Sequence, residues 1–305
     1  MKIIVFHQPF PMGNYKYNTA IANNLSQNHD VYLLEQLNGR EATEEYIEQI
    51  KSLKPDVVYF DMLDLETFKI VESLKCKKVL GYVTGGLVGW DEIFDYGKWY
   101  THVYTNSLSM ADKFKSKGTP TQHFEWFLTC LSDDEIQYDH RYNHDCTFLG
   151  MGFTRLSSED YRLERETFFN GFENIDFKIY GNGWPNFPYY NGVLPENDIG
   201  RLYSSAKSGL AIIAKGQREH GMINNRYSEM GSCGIPIICY NYPTIDWFGA
   251  EEYINFITSR QETIDTINDV INNQEKYKSN STKLQKFTKK QHELFFEKLN
   301  YLIED

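Results

Sequence analysis

Several things are scarce in this sequence, and each absence narrows the reading. The five cysteines, Cys76, Cys130, Cys146, Cys233 and Cys239, are odd in number and scattered, with no C-x-x-C pair. That excludes a zinc ribbon or a disulfide-stapled scaffold and reads as reduced thiols. No apolar run approaches the ~20 residues that cross a bilayer, so no transmembrane segment is expected. The opening MKIIVFHQPF is too short an apolar run for a signal peptide and has no cleavage site, so a cytoplasmic location is expected. Positive charge is also scarce: 31 Lys and Arg stand against 42 Asp and Glu, a net −11. Such a surface repels nucleic acid in general and leaves only a local basic groove for that partner. No Asp-x-Asp closes a predicted strand, and no metal ligand set stands out.

What is present fits a folded chain of two domains. At 305 residues there is length for two cores. Aromatic residues make up 15%, mostly Tyr and Phe, which suits stacking on rings or sugars and equally suits a composition biased toward Lys, Asn and Tyr.

Strand and helix alternate through the first half, from Met1 to about Leu128. Buried strands are predicted at Ile3–Phe6, Asp30–Leu34, Asp56–Phe60, Val79–Val83 and His102–Tyr104. Helices are predicted at Asn18–Asn28, Ala42–Leu53, Glu66–Leu74 and Met110–Lys117. This alternation implies a doubly wound parallel sheet with right-handed crossovers. Ligands in such sheets sit beyond the carboxyl ends of the strands. Those ends carry His7, Asp61 and, past the Thr84-Gly85-Gly86 loop, Asp91, the three candidates by position for a general base.

Thr129–Asp145 is polar and acidic and reads as a linker. Its Asp133-Asp134-Glu135 run is read as solvated carboxylates, not a metal cluster. Alternation then resumes. Strand Cys146–Leu149 leads into Gly150-Met151-Gly152 and a helix over Glu159–Phe169, so the turn sits where amides would face a phosphate, with Arg155 close by. Strand Phe177–Tyr180 leads into Gly181-Asn182-Gly183-Trp184, and Trp184 is either a ring that packs on a ligand or a plug beneath the loop. Asn191–Pro195, containing Leu194, opens a helix over Asn197–Lys207, and Gly209–Ala214 is a further buried strand. Asn255–Thr258 and Glu262–Asn272 make a last strand and helix. The lysine-rich stretch after Lys276 carries an apolar stripe at helical spacing. Its lysines are read as a solvated face, with a nucleic-acid or anionic-membrane surface as the alternative.

The most informative stretch is Lys215–Tyr240, KGQREHGMINNRYSEMGSCGIPIICY. Gly221 and the Asn224-Asn225 pair lead into a short helix that Gly234 ends and Pro236 forbids to continue. Ile235–Cys239 then suits a buried parallel strand. A helix N-terminus facing a glycine-rich loop favours an anion, most naturally phosphate. Arg226 in the first turn opposes the helix dipole, which makes sense if an anion docks there. Glu229, one turn on, is placed to accept hydrogen bonds from vicinal hydroxyls.

The run NNRYSEMGSCGIPII, with its N-x-R-x-x-E-x-x-x-x-G pattern on Asn224, Arg226, Glu229 and Gly234, resembles the donor-site segment of GT-B-fold glycosyltransferases, in particular the spore-maturation-like group. The position eight before Glu229, a second glutamate in the retaining members, is Gly221 here. The resemblance implies an α/β GT-B fold of two facing Rossmann-like domains with a cleft between them. The boundaries are an acceptor-side domain over 1–128, a linker over 129–145, a donor domain over 146–275 and a helical segment over 276–305 crossing back to the first domain. It implies a nucleotide-sugar donor, a UDP-sugar being expected, with no other cofactor and no metal. The donor would lie against Gly150, Gly152, Arg155, Gly181, Trp184, Leu194, Lys215, Arg218, Gly221, Asn224, Asn225, Arg226 and Glu229.

The reading is therefore a metal-independent glycosyltransferase acting on a hydroxyl acceptor. Residues 1–145 hold 14 Lys and Arg against 21 Asp and Glu, which favours a glycan, protein or small-molecule acceptor over DNA. A DNA-modifying transferase acting on a hydroxymethylated base is the main alternative. A nucleotide-sugar epimerase and an inactive nucleotide-binding module are the others.

Overall fold

The computed structural model describes residues 1–7, 15–37, 40–60, 65–82, 94, 99–124, 131–150, 152, 168–184, 187–213, 218–219, 221–247 and 249–305. The chain divides into two compact units. One comprises Met1–Gly85, Gly89–Phe124 and Glu293–Asp305; the other comprises Gly86–Val88 and Glu125–His292.

In the first unit six parallel strands form one sheet: β1 (Lys2–His7), β2 (Asp30–Glu35), β3 (Val57–Phe60), β4 (Lys77–Tyr82), β5 (His102–Thr105) and β6 (Thr121–His123), in the order β2-β1-β3-β4-β5-β6. The central strands are continuous apolar runs because both their faces are covered. Ile3–Phe6 and Val58–Phe60 are fully buried. The described helices of this part are α1 (Tyr15–Leu25), α2 (Glu44–Leu53), α3 (Leu65–Glu72) and α4 (Leu108–Ser116). Thr43 caps α2 by accepting from the Tyr46 amide, and Ser107 caps α4 by accepting from Met110. Strand β6 was not expected from sequence. It is a three-residue strand at the sheet edge, half-buried throughout and without apolar alternation.

The second unit holds five parallel strands: β7 (Cys146–Leu149), β8 (Phe177–Tyr180), β9 (Gly209–Ala211), β10 (Ile237–Tyr240) and β11 (Asn255–Ile257), in the order β11-β10-β9-β7-β8. Its described α-helices are α5 (Ile199–Ser205), α6 (Asn225–Cys233), α7 (Arg260–Asn272) and α8 (Gln274–Glu304). Successive strand residues face opposite cores. Leu210, Ile238 and Tyr240 join Phe148, Phe169 and Trp184 on one face. Ala211, Ile237 and Cys239 join Tyr203, Tyr227 and Met230 on the other. β9 is shorter than expected, and most of the expected helix over 159–169 lies outside the described residues.

α8 runs through the lysine-rich stretch where a helical segment over 276–305 is expected; its residues up to His292 belong to the second unit and those from Glu293 to the first. In the second unit Leu284 and Thr288 are buried, and Gln285 Nε2 donates to the Ser232 carbonyl at 2.8 Å. Gly231 of α6 permits the approach, since a Cβ there would stand 2.3 Å from Thr288 Oγ1. In the first unit Phe295 packs on Tyr104 and Phe124, and Lys77 Nζ donates to the Leu302 carbonyl.

Both sheets reverse their winding direction once. In the first the reversal falls between β1 and β3, and in the second between β7 and β9. Crevices beyond the carboxyl ends of such strand pairs are the usual binding positions of open α/β sheets.

Candidate donor site

The second reversal point is built by α6 and two glycine turns. Asn224 is the N-cap: its side chain accepts from the Arg226 amide at 3.2 Å. Gly234 ends the helix in the left-handed region at φ +65°, as the sequence required. Asn225 Nδ2 donates to Glu229 Oε1 at 2.9 Å, so the carboxylate is held one turn into the helix, with only 5% of the residue exposed. Tyr203 lies against this region. Burial, and then the Glu229 charge, push its hydroxyl well above the usual tyrosine range.

Arg226 turns back onto the sheet. Its Nε donates to the Leu149 carbonyl and its Nη1 to the Ile212 carbonyl at 3.2 Å, while the guanidinium lies 4.6 Å from the Phe148 ring centroid. Those carbonyls belong to the carboxyl ends of β7 and β9, the two strands that flank the reversal. Part of the cost of a cation in the first turn of a helix is thus offset by two backbone acceptors and an aromatic face. Nη2 points toward Gly150, where a Cβ would stand only 2.5 Å away.

The two glycine turns are zipped together. The Gly150 amide donates to Tyr180 O and the Gly152 amide to Asn182 O, both at 2.9 Å. Gly181, at φ +123°, approaches so closely that a Cβ would lie 2.2 Å from Gly150 O. These two amides are therefore engaged within the protein, which departs from the expectation that they face a phosphate. The glycines at 150, 152 and 181 serve the contact of loop against loop. Trp184 is the plug of this arrangement: it is 3% exposed, its Nε1 donates to Gly150 O at 2.8 Å, and its ring packs among Phe148, Phe169 and Phe187.

The remaining expected residues are placed as follows. Leu194 is buried in the core that contains Tyr180 and Tyr203. Gly221 has φ +65° and donates to Arg218 O at 3.1 Å. Thr244 Oγ1 donates to the same carbonyl at 2.6 Å, and the Arg218 guanidinium lies over Tyr242. His7 ends β1 at the reversal point of the first sheet and is half-buried. Asp61, Asp91, Arg155 and Lys215 lie outside the described residues. Tyr203, Tyr242 and Thr244 were not anticipated. They carry no motif, and only the fold brings them to the site. Among the described residues no three His, Cys, Asp or Glu side chains are grouped to hold a metal ion, and no helix is long and apolar enough to cross a membrane.

Residues 163–294, which include α6, match the family model described as glycosyl transferase-like. The chain has the GT-B fold, and this part of it is similar to the glycosyl transferase-like family. Its two parallel sheets match solved glycosyltransferase structures over their full length. An alpha-glucosyltransferase in complex with UDP and a 13-mer DNA superposes with a TM-score of 0.70 at 10% identity, over 100% of both chains. The DNA-modifying enzyme beta-glucosyltransferase, studied with and without uridine diphosphoglucose, gives 0.65 at 14% identity, again over 100% of both. HepE from Anabaena in complex with UDP-glucose gives 0.64 at 13% identity, over 99% of this chain and 100% of that one. No curated protein sequence matches the chain. In this GT-B chain the glycosyl transferase-like match coincides with the unit in which Arg226 and Glu229 flank the strand reversal.

Proposed function

We propose that this glycosyltransferase takes its sugar from a UDP-sugar bound at the carboxyl edge of the second sheet and passes it to a hydroxyl acceptor. The observation that carries the reading is Arg226, a first-turn cation anchored on the carbonyls of β7 and β9 inside the segment that matches the transferase family. Cleaving the bond between sugar and diphosphate builds negative charge on the leaving nucleotide. A preorganised cation beside a helix N-terminus stabilises that charge without reorganising at the moment of reaction. Glu229 accepts from the ribose hydroxyls. UDP is favoured as the nucleotide because the three similar structures above were each solved with UDP or UDP-glucose. His7, Asp61 and Asp91 are the proposed general bases for the acceptor hydroxyl. No divalent ion is required in this reading.

For the acceptor, the acidic balance of residues 1–145 favours a glycan, protein or small molecule. A hydroxymethylated DNA base is the second reading, favoured by the likeness of fold to a DNA-modifying beta-glucosyltransferase and to an alpha-glucosyltransferase solved with a 13-mer DNA. Incubation with radiolabelled UDP-glucose and a panel of oligosaccharides, peptides and hydroxymethylated duplex tests both, with a chelator arm. Label in a non-nucleic-acid acceptor, undiminished by chelator, is expected. Label in duplex alone, with binding that weakens steeply in salt, establishes the DNA reading. Binding without turnover indicates an inactive module, and exchange at a sugar carbon without transfer indicates an epimerase.

A further inference from the structure

A second polar constellation crosses the second unit and takes no direct part in the site described above. His144 precedes β7 and is 7% exposed. Its Nδ1 lies 3.0 Å from Asp176 Oδ2, and its Nε2 lies 2.9 Å from the Tyr180 hydroxyl. Asn191 Nδ2 donates to that same hydroxyl at 2.7 Å. The directions follow from chemistry. A carboxylate only accepts, so Nδ1 carries a proton. The Tyr180 oxygen accepts from Asn191 and is able to give its own proton to Nε2 when Nδ1 carries the ring proton. In that tautomer every group along the path is satisfied. Asp176 is held as a carboxylate: burial pushes its pKa up, but the hydrogen bonds from His144 and Lys178 outweigh this and lower it.

Tyr180 is where this path reaches the glycine turns. Its carbonyl accepts the Gly150 amide, and the next residue is Gly181, whose backbone packs on Gly150 O. On the far side, Asn191 is stitched to β8: its amide donates to Ile179 O at 2.8 Å, and Gly181 donates to Gly192 O at 3.0 Å. Gly150 in turn lies against Arg226 Nη2. Tyr180 is thus tied by its carbonyl to the Gly150 amide and through Gly181 to the surface that Arg226 rests on.

We propose that Asp176, His144, Tyr180 and Asn191 form a positioning relay that fixes the Gly150–Gly152 and Gly181–Gly183 turns, and through them Arg226, for the donor. The use of these turns rests on the donor reading above; the relay's hold on them does not. The four are positioning residues. The Tyr180 hydroxyl is bonded from two sides and the residue is 3% exposed, which leaves no place for substrate.

The test uses the full chain and three variants: His144→Ala, His144→Gln and Tyr180→Phe. In the protein without ligand, hydrogen exchange at the Gly150, Gly152 and Gly181 amides is expected to rise about tenfold in His144→Ala and in Tyr180→Phe, with amides of β1 and β3 unchanged. His144→Gln restores protection, since its carboxamide oxygen accepts from Tyr180. With UDP as the probe, Kd is expected to rise about tenfold in His144→Ala and recover in His144→Gln. The donor KM should follow, and kcat at saturating donor should fall as well, since Arg226 is proposed to stabilise the charge that builds on the leaving nucleotide; both recover in His144→Gln. Unchanged exchange in both His144→Ala and Tyr180→Phe overturns the relay, as does a His144→Gln no better than His144→Ala. If His144→Ala does not fold, Tyr180→Phe decides. Raised exchange in a chain whose wild type binds no UDP upholds the relay and removes the donor reading instead.

Discussion

Arg226 Nη1 donates to the Ile212 carbonyl at 3.2 Å, which ties the first turn of α6 to the carboxyl end of β9. With Nε on the Leu149 carbonyl of β7, one side chain spans the strand pair at which the second sheet reverses direction. Its position is therefore set by the sheet and not by a loop, the kind of rigidity that the proposed charge stabilisation requires.

Lysine cannot reproduce that fork. Its single ammonium lacks the planar geometry that reaches two carbonyls while stacking on Phe148. Arg226→Lys is expected to lower the unfolding free energy in urea by about 2–3 kcal/mol, the scale of losing one or two charge-assisted hydrogen bonds. Stability equal to wild type would show that these contacts carry no weight.

Gly150 is required by the same side chain. A methyl group there would stand 2.5 Å from Arg226 Nη2 and 3.0 Å from the Phe148 ring. Gly150→Ala should cost about 1–3 kcal/mol by overpacking and weaken UDP binding. Thermal melts and titration together check this. A variant that keeps both values would mean that the guanidinium moves aside freely.

Asp176 gives a pH dependence of defined sign. Its folded pKa is lowered, so its contribution is present above the unfolded value of about 3.9 and is lost as pH falls through the folded value. Acid titration of stability below about pH 4 should therefore be steeper in wild type than in Asp176→Asn. Parallel curves would deny the carboxylate its place opposite His144 and Lys178.

Much of this architecture was legible in sequence. The apolar runs at Ile3–Phe6 and Ile237–Cys239 signalled buried parallel strands, and Asn224 with Gly234 marked both ends of α6. Other features left no trace. Strand β6 is polar and short, and the sheet alone makes it a strand. Gly150 and Gly152 were visible as glycines, but whether their amides face a ligand or a neighbouring loop depends on Tyr180 and Asn182, which are about thirty residues away. His144 and Asp176 stand 32 positions apart in no recognisable spacing and meet only because β7 and β8 lie side by side. Arg226 was assigned to an anion from its opposition to the helix dipole. Its two backbone acceptors were invisible because they lie at the end of β7 and just past the end of β9, 77 and 14 residues earlier.

The donor assignment is tested most directly by calorimetric titration of UDP-glucose into the wild-type chain and into Glu229→Ala, with thermal melts of both. Saturable binding by wild type is predicted, with a Kd in the range of about 1 μM to 1 mM that is typical of enzyme substrates, weakened about tenfold or more in a Glu229→Ala chain that still melts cooperatively. Absence of binding by wild type, or equal affinity in the two proteins, would contradict the account.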